Sequence, residues 1–206
     1  EPNLAALLDL VALGTVADVV PLDHNNRVLV AQGLARIRSG HVSPGVRALI
    51  EIAGRQVQRL VSTDFAFAVA PRLNAAGRIE DMATGVACLL TDDPDQATRL
   101  AVQLDQLNQE RRVIEQEMQT QALLSLDAMQ LQEDNLPVAL CLYDKDWHQG
   151  VIGILASRIK ERVHRPVIAF ADGGLDEQGI PLIKGSARSV QGLHIRDAMD
   201  AVAAHH

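Results

Sequence analysis

Pro94-Asp-Gln-Ala-Thr-Arg-Leu100-Ala-Val-Gln-Leu104-Asp-Gln-Leu107-Asn-Gln-Glu-Arg-Arg-Val-Ile114-Glu-Gln-Glu-Met118 reads as one uninterrupted helix. Leu100, Leu104, Leu107, Ile114 and Met118 recur at spacings of three, four or seven, which puts them on one apolar stripe among Gln, Glu and Arg. Asp93 is placed to cap it, and Pro94 falls at the first helical position, where its missing N–H costs nothing. No Gly or Pro interrupts the pattern before Leu131. At 1.5 Å per residue the run reaches roughly 50 Å, more than a small domain needs for its own core. An amphipathic core helix and a rigid strut joining two lobes both fit this pattern, and the flanking sequence has to separate them.

The 206 residues suffice for one large domain or two small ones, with 48% hydrophobic and 22% charged residues, as in an ordinary soluble protein. Aromatic content is 2%, with Trp147 and Tyr143 each the only one of its kind, so platforms for base stacking are scarce. Any grip on nucleic acid must then lean on phosphates. The net charge of −7 argues against a general basic footprint. Lys145, Lys160 and Lys184 are the only lysines, however; the other basic side chains are arginines, suited to bidentate phosphate contacts. Cys88 and Cys141 each lie in an apolar run without a Cys or His at metal-ligand spacing, and are expected to be buried thiols in a reducing compartment. No apolar run approaches the roughly 18 residues of a membrane span, so no membrane partner and a cytoplasmic location are expected. The chain opens with Glu1 inside a helical pattern, which suggests part of a longer protein.

Before the long helix, Leu10 to Val20 reads as a buried strand and turn stopped by Pro21, with Asp18 embedded in it. A carboxylate in such a run either serves a cap or turn or binds a ligand. Helices are expected over Asn25–Arg38 and Pro44–Ala53, ended by Gly40 and Gly54. Ser62-Thr-Asp64 begins a helical run through Phe65, Phe67 and Val69. Pro71-Arg72-Leu-Asn74-Ala-Ala-Gly77-Arg78-Ile follows, in which arginines and an asparagine alternate with small residues. It is either a loop with surface arginines or an anion site in which Arg72 and Arg78 hold phosphate oxygens. Ala83–Leu90 is a short buried helix.

After Leu131 strands and helices alternate. Val138–Tyr143 is a strand, Asp144–Gly150 a polar turn holding Trp147 and His148, and Val151–Val163 a helix. Pro166–Phe170 is a second strand, followed by turn signals at Asp172-Gly-Gly174 and Gln178-Gly179. Ile180–Ile183 begins a third strand leading into Lys184-Gly-Ser186-Ala-Arg188-Ser189, and Leu193–Ala204 closes the chain as a helix. This is a compact α/β lobe. Gly185-Ser186-Ala-Arg188-Ser189 is able to offer N–H, hydroxyl and guanidinium groups to one phosphate, although it fits no Walker or dinucleotide fingerprint.

Four motifs occur in order, two on each side of the long helix. They are Asp9-Leu-Val-Ala-Leu-Gly-Thr-Val-Ala-Asp18-Val-Val-Pro-Leu22, Pro71-Arg-Leu-Asn-Ala-Ala-Gly-Arg78, Trp147-His-Gln-Gly-Val-Ile-Gly-Ile-Leu-Ala-Ser-Arg158 and Lys184-Gly-Ser-Ala-Arg-Ser189. Together they resemble the DHH phosphoesterase family, and within it the single-stranded-DNA exonucleases. The resemblance implies an α/β chain in three parts. Residues 1–92 would be the mostly helical end of a DHH catalytic domain, 93–131 a long connecting helix, and 132–206 a small mixed α/β DHH-associated domain, truncated at its end.

It further implies 5′-to-3′ hydrolysis of single-stranded DNA at two metal ions, Mn2+ or Mg2+, in DNA repair and recombination, with a single-strand-binding protein and a helicase as partners. Asp18 matches the family's last metal-binding aspartate, expected at a strand end. Arg72, Asn74 and Arg78 match the stretch lining the DNA path, and His148, Ser186, Arg188 and Ser189 match groups that hold the strand's phosphates. The long helix would set the width of a cleft that admits only a single strand. The Asp-His-His signature itself is absent. Asp23-His24-Asn25 lacks the second histidine, and no Asp precedes His205-His206. One aspartate cannot organise two metals, so these residues alone are expected to be inactive. The alternatives are a family member that cleaves short oligonucleotides or cyclic dinucleotides, and a non-catalytic nucleic-acid-binding module.

Overall fold

A computed structural model of the chain describes residues 3–128 and 137–204. The last three residues of the expected helix, the expected boundary at 132 and His205-His206 lie outside them. The chain forms two compact units, Glu1–Glu110 and Arg111–His206.

Among its described residues the regular elements of the first unit are all helices. A 3-10 turn (Leu4–Leu7) leads into α1 (Leu8–Ala17), then α2 (His24–Arg38) and α3 (Pro44–Ile52). A 3-10 turn (Val57–Arg59) and the short α4 (Ser62–Asp64) precede a π-helical turn (Phe65–Val69), α5 (Ala70–Ile79) and α6 (Ala83–Leu90). The first part of α7 (Pro94–Ala128) completes the unit. The expected strand over Leu10–Val20 is therefore wrong: most of it is α1. A continuous apolar run does not distinguish a buried strand from a buried helix, and Leu8, Leu10, Ala12, Leu13 and Ala17 are good helix formers.

Close backbone approach fixes α1 against α2. A methyl group at Gly33 would lie 2.2 Å from the Leu8 carbonyl oxygen and 2.6 Å from the Ala12 Cβ. Gly45 likewise faces the Cys88 carbonyl oxygen, which a methyl there would meet at 1.8 Å, so α3 and α6 touch main chain to main chain. Asp9 is buried, and its two carboxylate oxygens accept from the N–H groups of Leu10 (2.8 Å) and Ser43 (2.7 Å). A carboxylate on α1 thereby serves the start of α3.

The capped start of α7 is as expected, with Asp93 accepting from the Asp95 N–H at 2.9 Å. Leu104 and Leu107 are buried in a core with Val30, Ile37, Leu49, Phe65 and Val69. Leu100 only borders that core, and the small residues Ala97 and Ala101 take the close contacts instead.

Residues 62–79 run almost continuously as helix although Pro71 lies inside. A proline there cannot donate to the carbonyl four residues back and collides with it. The wide π turn just before absorbs the mismatch, with the Ala70 N–H reaching back five residues to the Phe65 carbonyl. Phe65 is consequently buried while Phe67 stands 76% exposed. The stretch expected as a loop around Arg72 and Arg78 is thus helix α5.

The second unit contains β1 (Leu140–Tyr143), α8 (Ile152–Val163), β2 (Val167–Leu175), β3 (Pro181–Arg188) and α9 (Ile195–Ala203). The sheet order is β1-β2-β3, with β1 parallel and β3 antiparallel to β2. Leu140, Leu142, Val167, Ala169 and Ala171 form its buried face, and Val151, Ile152, Leu155, Ala156 and Ile159 are the buried residues of the α8 region. The second part of α7 also belongs to this unit. Its Glu115 binds Arg111 (2.9 Å) and Arg158 of α8 (3.3 Å), and its Gln121 accepts from the indole N–H of buried Trp147 at 3.2 Å.

Alternation along β1 sends Cys141 to the opposite face, where it is exposed. It is not the buried thiol expected. β2 also runs through Gly173 and Gly174 with a register shift, so the reversal comes later, at Asp176–Ile180, and Ile180 belongs to that turn. The third strand runs on through Ser186 and ends at Arg188.

Two outcomes follow from the packing. Gly45→Ala should lower stability by about 1–3 kcal/mol or more through overpacking, whereas Gly14→Ala, with no atom within 4 Å of the added methyl, should raise it by up to about 1 kcal/mol; thermal unfolding of both variants decides. Burial raises the Cys88 thiol to about 11, leaving about one thiolate in a thousand at pH 8. Alkylation of the folded chain at pH 8 should therefore label Cys141 alone, with Cys88 reacting only on unfolding.

Candidate nucleic-acid interface

Each unit carries part of the expected site. In the first, Asp18 is exposed at the C-terminal end of α1, where its own N–H closes on the Gly14 carbonyl at 3.1 Å. It is therefore at a helix end and not a strand end. Val19 follows with φ +53, an uncommon conformation for a β-branched residue, so the chain turns sharply directly after the aspartate. Asp18 shares a groove of about 350 Å3 with Asn74, Gly14, Ala17 and the apolar side chains of Leu10, Leu13, Met82 and Val86. The fold thus brings Asp18 and Asn74, 56 positions apart in sequence, to one groove.

The two arginines of α5 differ. Arg78 is exposed in its last turn. Arg72 is turned inward, its side chain 13% exposed, with Nη2 on the Asp105 carboxylate at 2.7 Å and Nη1 on the Ala68 carbonyl. Asp105 is satisfied on its other oxygen by Gln109 at 2.7 Å. This geometry gives Arg72 the work of joining α5 to α7, with little of its guanidinium left for a ligand.

In the second unit the polar groups gather around the first turn of α8. The loop after β1 places His148 at the carboxyl end of that strand, the end where α/β folds commonly take their ligands. His148 Nδ1 accepts from the Gly150 N–H at 3.1 Å, which puts the ring proton on Nε2 as an available donor. No side chain caps α8, whose N-cap residue is Val151. On β3, Ser186 and Arg188 are two residues apart and so share a face. Arg188 Nη1 donates to the Ser186 hydroxyl (3.1 Å) and to the Ala187 carbonyl (2.8 Å). Ser189 follows the end of β3, and its hydroxyl donates to the Leu193 carbonyl, closing the turn into α9. Its polar group is committed to the loop.

The α8 turn is thus a small donor-rich platform on an α/β lobe. Residues 135–206 match the family model described as the DHHA1 domain, which fixes the class of this lobe. Over 97% of its length the chain is 60% identical to "Single-stranded-DNA-specific exonuclease RecJ" of Dickeya dadantii (strain 3937), covering 34% of that protein. It superposes with a TM-score of 0.78 and 36% identity on the crystal structure of RecJ in complex with Mg2+ from Thermus thermophilus, over 98% of this chain and 29% of that one. A structure of exonuclease RecJ bound to manganese gives 0.76 and 36% over 97% of this chain and 46% of that one. The chain thus matches RecJ over nearly its whole length, and it spans about a third of the length of the curated relatives it matches.

Both of those structures hold a metal, so the donor set here bears directly on that chemistry. Among the described residues no group of three or more His, Cys, Asp and Glu side chains is placed to hold a metal ion. Asp18 is a single exposed carboxylate in an otherwise apolar groove, and Asn74 is neutral. These residues do not make up a metal site by themselves. Reasoning from sequence passes over Asp105 and Glu115, whose partners are far off in sequence. It also gives no weight to Gly153, which the first turn of α8 carries.

The inward Arg72 makes a distinct prediction. Arg72→Met should cost about 3 kcal/mol by leaving Asp105 uncompensated in a mostly buried position. The double change Arg72→Met/Asp105→Leu should recover most of that loss. Urea unfolding of the three chains measures the coupling, and additive effects would remove the structural role assigned to the pair.

Proposed function

We propose that this chain is the phosphate-gripping part of a single-stranded-DNA exonuclease that degrades from the 5′ end in DNA repair and recombination, in the cytoplasm. Residues 1–92 act as the end of the catalytic DHH domain, 93–131 as the connecting helix and 132–206 as the DHH-associated domain. Asp18 is the one metal-ligating carboxylate contributed here to a two-metal site for Mn2+ or Mg2+, whose other ligands come from sequence beyond these 206 residues. The chain alone is then a binder without turnover. A single-strand-binding protein and a helicase supply the substrate.

The observation that carries this reading is that Ser186 and Arg188 of β3 lie against Gly153 in the uncapped first turn of α8, with His148 in the loop that enters that helix. A helix start, an imidazole N–H, a hydroxyl and a guanidinium all favour an anion, and a phosphodiester oxygen is an anion that needs no base readout. Trp147 is buried, so the region offers phosphates a hold without offering bases a stacking surface. Asn74 and Arg78 add polar groups on the first unit. Arg72 and Ser189 support the backbone of their own units.

Titration of the chain with fluorescent 5′-phosphorylated single-stranded and duplex DNA at low salt tests the reading. Arg188→Ala and Arg78→Ala should each weaken single-strand binding and reduce the slope of log K against log salt by about 0.7 for each phosphate no longer gripped. Ser189→Ala should leave the slope unchanged. Equal binding by wild type and Arg188→Ala would defeat the proposal.

A further inference from the structure

We propose that Gly153 is a positioning residue for Arg188: its missing side chain lets the guanidinium lie against the first turn of α8 and so aims it at the phosphate. The inference rests on the phosphate-binding reading of Arg188 given above and adds a specificity role that Arg188 and Ser186 do not fill by themselves. A methyl group at Gly153 would stand 2.8 Å from Arg188 Nη2, 3.0 Å from Ser186 Oγ and 3.6 Å from Arg188 Cζ. The arginine head therefore rests directly over the glycine.

Three contacts then fix the plane of the guanidinium. Nη1 is held by the Ser186 hydroxyl and the Ala187 carbonyl, and Nη2 occupies the space beside Gly153 that a methyl group would enter. Nε and Nη2 have no protein acceptor among the described residues. Their N–H groups thus belong to a head restrained from one side, which orients a planar fork toward two phosphate oxygens at once.

A glycine inside a helix is a disadvantage unless it is needed. It costs roughly 1 kcal/mol relative to alanine, and Gly153 is buried in a helix whose conformation any residue adopts. Left-handed backbone does not require it, since φ is not positive there. What requires it is the space occupied by the Arg188 head and, beside it, the Ser186 hydroxyl, both ends of side chains. Alanine would push those ends aside and leave the sheet and helix in place, so the loss falls on ligand geometry and not on the fold.

The test is a four-chain cycle on the 206-residue protein: wild type, Gly153→Ala, Arg188→Ala and the double variant. Each is melted thermally and titrated with 5′-phosphorylated oligothymidylate at low salt. Gly153→Ala should weaken binding about tenfold, the effect of one missing charge-assisted hydrogen bond, with no effect once Arg188 is alanine. The melting temperature should rise on Gly153→Ala in the Arg188→Ala background and rise less, or fall, in the wild-type background. Wild-type affinity in Gly153→Ala beside weakened binding in Arg188→Ala would overturn this inference and leave the reading of Arg188 standing. Unchanged binding in Arg188→Ala would overturn both. If no chain binds DNA, the phosphate reading fails, and an equal melting shift from Gly153→Ala in both backgrounds would overturn the contact itself.

Discussion

Backbone-to-backbone contact at Gly33 and Gly45 is the constraint on which the first unit depends. Helices usually meet through interdigitating side chains at about 8–10 Å between axes. Here a carbonyl of α1 and one of α6 occupy the space where a Cβ would be, so the crossings are set by the main chain itself. Once α1 lies that close to α2, Asp9 reaches the start of α3 and Asp18 comes to the rim of the groove that holds Asn74. Asp18 is placed by a glycine fifteen positions away.

The second unit is organised by alternation along its strands. Inward residues of β1 and β2 are apolar and lie under α8, and on β3 the corresponding face carries Ser186 and Arg188. One sheet face thus changes from apolar core to half-buried polar side chains across a single strand. The change coincides with the first turn of α8, whose N–H groups no side chain satisfies.

The legible parts of the sequence are those with a strong period or a strong punctuation mark. α2, α3, α6 and the start of α7 follow from caps, glycines and apolar spacing. The α1 stretch misleads because an unbroken apolar run has no period to count, and the Pro71–Arg78 stretch because Pro inside a helix normally signals a loop. Cys141 misleads because a run of apolar neighbours conceals the alternation of a strand. In the candidate site, residue types are legible and their engagements are not. Arg72 and Arg188 look alike in sequence, yet one is tied to Asp105, which lies 33 residues on, and the other rests on a helix glycine. Only the fold distinguishes an arginine bound to a carboxylate from one without an acidic partner among the described residues.

The π turn at Phe65–Val69 carries one residue more than an α-helical path of the same length would need. That residue acts as a spacer. The wide turn spreads one extra residue over about the rotation of an ordinary helical turn, so deleting one residue there would tighten it to α-helix and leave Arg72, Asn74 and Arg78 at nearly the same phase relative to Phe65. What the deletion would remove is the room made for Pro71, whose ring would then meet a carbonyl of the preceding turn. One residue of length in this helix is thus tied to a proline that follows it.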